Sequence, residues 1–304
     1  MGKKILLTGG SSLLALNWAL HARVNNHIIL GLHQRVVSLS GTESVSISLD
    51  SEEELKKALD AICPDLIIHT AGLTSVEICE SDPKLAEQVN TISAELIAKV
   101  AWERDIKMVH ISTDHLFQGN DQYIPEDQPV QPCNVYGITK ANAEKAILAV
   151  NADALIVRTN FYGWGPSYRK SFSDVIIEAL RKGKSINLFN DVFYTPIVIE
   201  KLIEYTNNLI EKEATGIYHI VADERLSKFQ FGMKLAMAFG LDTNLIKELS
   251  ISDVPKLVKR PLDMSLSNKK ATAKIGHCLG IIDEHLKLLV NQEKTGFINE
   301  IISL

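Results

Sequence analysis

Lys4-Ile5-Leu6-Leu7-Thr8-Gly9-Gly10-Ser11-Ser12-Leu13-Leu14-Ala15 runs from an apolar stretch, through a turn of small residues, into a segment of helical character that continues to about Val24. A short run of Ile and Leu closed by glycine reads as a buried strand. A Gly/Ser turn that then opens a helix aims backbone N–H groups and the positive end of the helix dipole at an anion. This strand, turn and helix form the context of a dinucleotide pyrophosphate site in an open α/β sheet, with a generic strand-to-helix turn as the plainer alternative.

The same rhythm repeats downstream. Strands are expected at His27–Leu32, Ser46–Leu49, Leu66–His69, Lys107–Ile111 and Ala154–Arg158, each short and rich in branched aliphatics. Between them, Leu85, Val89, Ile92, Leu96 and Val100 recur at helical spacing, with Lys84, Glu87 and Glu95 on the other face, which predicts a helix over 85–100 packed on the sheet by that stripe. Alternating strands and helices predict an α/β fold, a Rossmann-type doubly wound parallel sheet. After Phe161 the rhythm breaks into a Gly, Pro, Tyr and Trp cluster. The expected division is a nucleotide-binding domain over 1–161, receiving segments near 190–222, and a smaller, discontinuous mixed α/β region over 162–304. Phe161, Tyr162 and Trp164 read equally as a wall for a ring-shaped ligand or as core.

Composition narrows the function. The chain has 304 residues, 46% hydrophobic and 23% charged, with a formal net charge of −5. That balance gives no electrostatic footprint for a nucleic acid. Cys63, Cys79, Cys133 and Cys278 lie far apart, so neither a zinc site nor a disulfide framework is signalled, and no metal site is expected. No export signal or membrane anchor is read from the sequence, and a reducing cytoplasm is the expected compartment. His115 and His219 receive no catalytic role, because a lone histidine is more often structural.

Ligands of open α/β sheets sit beyond the carboxyl ends of the strands, which makes the residues at those ends the candidates. The second strand closes as Gly31-Leu32-His33-Gln34-Arg35, without the acid that usually holds a ribose 2′-hydroxyl. Arg35 offers forked donors to a 2′-phosphate, which predicts NADP(H) in preference to NAD(H); a solvated surface arginine is the alternative. Asp50 reads either as a partner for the adenine amino group or as the cap of a helix starting near Ser51.

Of seven tyrosines, only Tyr136 has a lysine four residues on, Lys140, and on a helix that spacing puts both on one face. The pair follows a strand ending in Ser112-Thr113-Asp114. These types suit reduction of a carbonyl: the oxygen gains negative charge as hydride arrives at carbon, and a nearby acid must supply a proton. Tyr136 is the candidate acid. An unperturbed phenol titrates near 10, and an adjacent cation such as Lys140 favours its phenolate. Lys140 is also read as a holder of ribose hydroxyls, and Thr113 as a donor to the substrate oxygen.

These residues resemble the extended short-chain dehydrogenase/reductase superfamily, and more closely the dTDP-4-dehydrorhamnose reductase group, the RmlD-like family. The most specific block is His110-Ile111-Ser112-Thr113-Asp114-His115-Leu116-Phe117-Gln118-Gly119, followed by Tyr123, Glu126, Asp127, Pro132, Asn134-Val135-Tyr136-Gly137, Lys140 and Glu144. Weaker echoes are Thr74-Ser75-Val76-Glu77, Arg158-Thr159, Tyr194-Thr195-Pro196, Gly216-Ile217-Tyr218-His219 and Arg260-Pro261-Leu262-Asp263. The resemblance implies NAD(P)H-dependent reduction of the C4 ketone of a nucleotide-linked 6-deoxyhexose by Thr113, Tyr136 and Lys140. It implies cofactor contacts from Gly9, Ser12, Leu13, Leu14, Asp50, Ala71, Gly72 and Lys140. Substrate contacts would come from Thr74, Asp114, the loop after Arg158 (which includes Phe161) and Arg260.

The chain departs from the family pattern in three places. Ser12 and Ala15 stand for glycines of the cofactor turn, Phe161 stands where the family usually has Trp, and His69-Thr70-Ala71-Gly72 replaces Asn-Ala-Ala-Ala. The sugar is therefore expected to differ from that of the rhamnose enzyme. His115 occupies the place of the glutamate that a 4,6-dehydratase would carry, which argues against dehydration. An epimerase and a catalytically silent regulatory subunit remain as alternatives, and assembly into a homo-oligomer is left open.

Overall fold

The computed structural model describes residues 2–304. The chain folds into two compact units of nearly equal length.

The first unit comprises the chain through Leu116, Pro132–Arg158 and Glu213–Tyr218. Its strands are β1 (Lys4–Thr8), β2 (His27–Leu32), β3 (Thr42–Ser46), β4 (Leu66–His69), β5 (Lys107–Thr113) and β6 (Leu155–Thr159), completed by Gly216–His219. They lie in one seven-stranded sheet in the order β3-β2-β1-β4-β5-β6 and then Gly216–His219. Every pairing from β3 across β2, β1 and β4 to β5 is parallel. That is the doubly wound order, with its reversal between β1 and β4. The inner strands are buried on both faces, which is why they read as unbroken aliphatic runs. The intervening helices are α1 (Leu13–Ala22), α2 (Glu52–Ile62), α3 (Val76–Ser81), α4 (Pro83–Glu87), α5 (Ser93–Trp102) and α6 (Val135–Val150). Leu6, Ile29, Leu55, Ile67, Ile97, Met108, Ile147 and Ile156 form the core on one side of the sheet.

Two local expectations are corrected. The third strand is Thr42–Ser46, not Ser46–Leu49. It is the sheet's outermost strand and is largely exposed, so it lacks the apolar run that marks a central strand. The next residue, Ile47, is buried, and its N–H still donates to the Leu32 carbonyl of β2 at 2.8 Å. The helix over 85–100 forms, but it follows the expected inward stripe only at its C-terminal end. Val100 is buried and Leu96 packs against the core as expected, whereas Leu85 and Ile92 are exposed and Ala86, Asn90, Ala94 and Ile97 take the inward positions. The cause is a π-turn at Gln88–Ile92, where the Ser93 N–H reaches back five residues to the Gln88 carbonyl. One residue more than an α-helix uses is wound in there, and the stripe shifts.

The second unit comprises Phe117–Gln131, Thr159–Lys212 and His219–Leu304. It is mixed α/β: Phe161–Tyr162 pairs in parallel with Ile197–Val198, Ile186–Phe189 in parallel with Ile246–Leu249, and Phe193–Tyr194 antiparallel with Leu226–Ser227. Its helices include Phe172–Arg181 and Lys228–Ala238, each opened by a reciprocal capping box, Ser171 with Asp174 and Ser227 with Gln230. Tyr162, Trp164, Tyr194 and Phe231 sit in its core, with the Tyr162 ring edge-on to Phe231 at 4.8 Å. Tyr162 and Trp164 are thus core, and Phe161 is half-buried. Among the described residues no helix is long and apolar enough to cross a membrane.

Candidate active site

The turn after β1 is built by close backbone approach. Gly9 has φ +65°, and a Cβ there would lie 2.8 Å from the Ala71 Cα, so only glycine lets this turn lie against the chain leaving β4. The Ser12 N–H donates to the Gly9 carbonyl at 2.7 Å. Ser12, standing where a glycine was expected, caps α1: its Oγ accepts from the Ala15 N–H at 3.1 Å and pairs with Thr70 Oγ1 at 3.0 Å. Helix geometry leaves the first-turn amides of Leu13 and Leu14 without intrahelical acceptors, the donor set an anionic group takes up. Ala15 is fully buried, so the helix start tolerates a methyl but little more.

The flanking candidates divide. Ala71 and Gly72 follow β4, and Asn90, on the π-turn, holds that segment by accepting the Leu73 N–H at 2.7 Å and donating to the Leu73 carbonyl at 3.0 Å. Arg35 is exposed three residues beyond β2. Asp50 does not cap α2; Ser51 does, and Asp50 instead accepts from Gln88 Nε2 at 3.2 Å and Ser93 Oγ at 3.3 Å.

Thr113 ends β5, and Tyr136 lies in the first turn of α6, which Asn134 caps by accepting the Gly137 N–H at 2.8 Å. The join between them is tight. A Cβ on Gly137 would fall 2.3 Å from the His115 carbonyl oxygen, so the first turn of α6 abuts the chain just beyond Thr113 and Asp114. The His115 and Tyr136 rings meet edge-on at 5.5 Å. Gly137→Ala is therefore expected to destabilise the protein by about 1–3 kcal/mol through overpacking against backbone. Thermal melting checks this, and an unchanged melting temperature would contradict the contact.

Lys140 is one turn further on and is buried. Its Nζ lies 2.8 Å from His110 Nε2 and donates to the Ile111 carbonyl at 2.9 Å. An ammonium has three protons, so these two acceptors leave one N–H for a third. Burial pushes the Lys140 pKa down to about 8, against the opposing pull of Glu144. Burial, with Lys140 nearby, likewise pushes His69 down to about 3 and His110 well below its usual range, so both rings are neutral.

A second connection ties the same elements. Ser112 Oγ donates a short hydrogen bond to Glu144, and Arg158 on β6 grips both carboxylate oxygens of Glu144, with Nη2–Oε2 at 2.7 Å. Alternate residues of a strand share one face, as do residues four apart on a helix. His110 and Ser112 of β5 accordingly meet Lys140 and Glu144 of α6.

Of the predicted substrate residues, Thr74 and Asp114 belong to the first unit, Phe161 and Arg260 to the second. Asp114 is buried and accepts from Thr113 Oγ1 at 3.3 Å, while Thr74 is exposed. Sequence reasoning gives no role to Asn90, Gly137, Glu144, His69 or His110. The available signal is a polar residue at the same register in two aliphatic strands, Leu66–His69 and Lys107–Thr113.

Comparisons with known proteins agree in direction. The model of the family described as RmlD substrate binding domain matches residues 3–295. The dTDP-4-dehydrorhamnose reductase of Escherichia coli is 30% identical over 231 residues, covering 72% of this chain and 76% of that protein. Methionine adenosyltransferase 2 subunit beta of Xenopus laevis is 26% identical over 277 residues, covering 88% of this chain and 82% of that one. A crystal structure of dTDP-4-dehydrorhamnose reductase from Bacillus anthracis, in complex with NADP, superposes with a TM-score of 0.85 over 96% of this chain and 100% of that one, at 22% identity.

Proposed function

Because this chain belongs to the RmlD substrate-binding domain family, we propose that it is an oxidoreductase that uses NADP(H) to reduce the C4 ketone of a nucleotide-linked 4-keto-6-deoxyhexose. The observation that supports the reading is the seating of α6 near the end of β5: Gly137, next to Tyr136, lies against the His115 carbonyl, two residues beyond Thr113.

The donors around the first turn fit a dinucleotide. Gly9, Ser12, Leu13 and Leu14 would hold the pyrophosphate, Ala71 and Gly72 would flank it, Asp50 would face the adenine end and Lys140 the ribose hydroxyls. A nicotinamide held there would supply the hydride that C4 takes up. Thr113 turns its one hydroxyl proton from Asp114 to the carbonyl oxygen, and Tyr136 transfers its phenolic proton to that oxygen as negative charge develops there. The Lys140 ammonium stabilises the phenolate that remains. Substrate contacts are assigned to Thr74, Asp114, Phe161 and Arg260.

Loss of NADPH absorbance against a panel of nucleotide-linked 4-keto-6-deoxyhexoses tests the reading, and stoichiometric oxidation with one of them is the expected result. Silence across the panel with NADPH binding retained would favour a non-catalytic subunit, the alternative that the kinship with a protein named as the beta subunit of another enzyme supports.

The chain end after β2 supports a preference for NADPH, since Arg35 stands there without an acid. Titration calorimetry should find NADPH bound more tightly than NADH, and Arg35→Ala should narrow the gap by about tenfold, the worth of one charge-assisted hydrogen bond. Equal affinities in the unaltered protein would contradict the assignment.

A further inference from the structure

Thr8, His69 and His110 are lateral neighbours in the sheet: Thr8 is in register with His69 on β4, and His69 with His110 on β5. All three are fully buried. Thr8 Oγ1 lies 2.7 Å from His69 Nδ1, the two imidazoles stack at 5.3 Å with 25° between their planes, and His110 Nε2 meets Lys140 Nζ at 2.8 Å. A polar row thus crosses the interior of the sheet from the residue before Gly9 to Lys140.

This row is expensive. Among the described residues His69 Nε2 and His110 Nδ1 are buried without a hydrogen-bond partner, and the apolar Ile67 and Met108 fill the same face two residues earlier in the two strands. Polar groups that break a local packing rule at a cost mark functional positions more often than accidents of packing. Their one strong contact with a charged group is the contact to Lys140.

We propose that His110 is a positioning residue for the reduction: as a neutral acceptor backed by His69 and Thr8, it holds the head of Lys140, and through it the proton donor Tyr136, at the carboxyl edge of the sheet. The ammonium donates to the Nε2 lone pair, so the ring's own proton sits on Nδ1, the buried atom that lacks a partner. A protonated ring would offer Lys140 a second cation instead of an acceptor, and the depth of burial keeps it neutral. Several other ionisable groups around α6 have partners of their own, and neither Lys145 on α6 nor His115 beside Tyr136 is hydrogen-bonded to the Lys140 Nζ among the described residues. Glu144 is held by Arg158 and Ser112, Glu80 accepts from the Val135 N–H, Glu87 accepts from Thr91, and Lys99 pairs with Glu52. Tyr136 shares the helix with Lys140. His110 therefore acts on Lys140 without a competing side chain hydrogen-bonded to its Nζ among the described residues.

The inference rests on the reductase reading, and its test separates the two. In the unaltered protein, ¹⁵N NMR of the histidine rings should find His110 neutral with Nε2 unprotonated between pH 6 and 8; a protonated Nε2 would overturn the proposal, whatever the turnover. In His110→Phe the ammonium loses its acceptor while its burial persists. ¹³C-labelled lysine NMR should then follow Lys140 losing its proton at lower pH than in the unaltered protein, by about one pH unit. If the reductase reading holds, the high-pH limb of kcat moves to lower pH with it and kcat falls about tenfold, while KM for the sugar nucleotide stays within about twofold. His110→Gln, which restores an acceptor, should return both the Lys140 titration and the limb most of the way. An unmoved Lys140 titration in His110→Phe, or a Gln variant no better than Phe, would overturn the positioning role. Absence of turnover in the unaltered protein, with the Lys140 shift observed, would overturn the reductase reading alone.

Discussion

Replacing Tyr136 by Phe is expected to lower kcat for NADPH-dependent reduction by about 10² to 10⁴-fold, the usual worth of a positioned general acid. The substitution removes one oxygen and nothing else. Tyr136 is largely buried, its ring is edge-on to His115, and α6 is capped independently by Asn134, so a phenylalanine ring keeps the same packing. NADPH affinity should change little, because the proposed contacts to the dinucleotide come from the turn after β1 and from Lys140. Pre-steady-state measurement with the best substrate of the panel checks this, and near-normal turnover would reject the assignment. A loss confined to KM would show that Tyr136 binds substrate without donating a proton.

The second large effect concerns the ion pair beneath the site. Arg158 and Glu144 expose only 3% and 5% of their side chains, and Glu144 also accepts from Ser112. Glu144→Ala removes the carboxylate that the buried Arg158 guanidinium grips, and breaking a buried pair in this way typically costs about 3–5 kcal/mol. The expected result in urea denaturation is a midpoint lowered by that amount of stability. The double variant Glu144→Leu with Arg158→Met should recover much of the loss, since removing both charges removes the uncompensated desolvation. A single variant as stable as the starting protein would show that water reaches the pair. Recovered stability without recovered turnover is expected of the double variant, because Ser112 then loses its anchor and β5 the link to α6 that lies next to Thr113 in the strand.

The parts of this molecule legible in its sequence are those where one residue's neighbours along the chain decide its environment. Ile5-Leu6-Leu7-Thr8-Gly9 declares a strand and a turn because burial on both faces demands a continuous aliphatic run and the turn demands a left-handed residue. Thr113, Tyr136 and Lys140 are locatable because strand ends and helix starts follow from the same patterning. The sequence misplaces β3 because an edge strand needs no apolar run. It misleads on the inward face of α4 and of the π-turn because that turn carries Asn90 to Leu73 and Thr139, contacts 17 and 49 residues away. His110 with Lys140 and Ser112 with Glu144 are illegible for a related reason: they pair across 30 and 32 residues, and no local period announces which polar residue of a strand a distant helix will meet.

That π-turn also bears on how the gene can vary. Each helical residue advances the azimuth by about 100°. Deleting any one residue of Gln88–Ile92 would restore regular α-helical hydrogen bonding, and by helix propensity alone it would count as a repair. It would also swing α4 by that angle relative to α5, carry Asn90 away from Leu73, and release the chain that lies against Gly9. The extra residue is thus not a defect to be repaired: a shortening that improves the helix would cost the loop after β4 its hold, and with it the packing of that loop against the turn at Gly9.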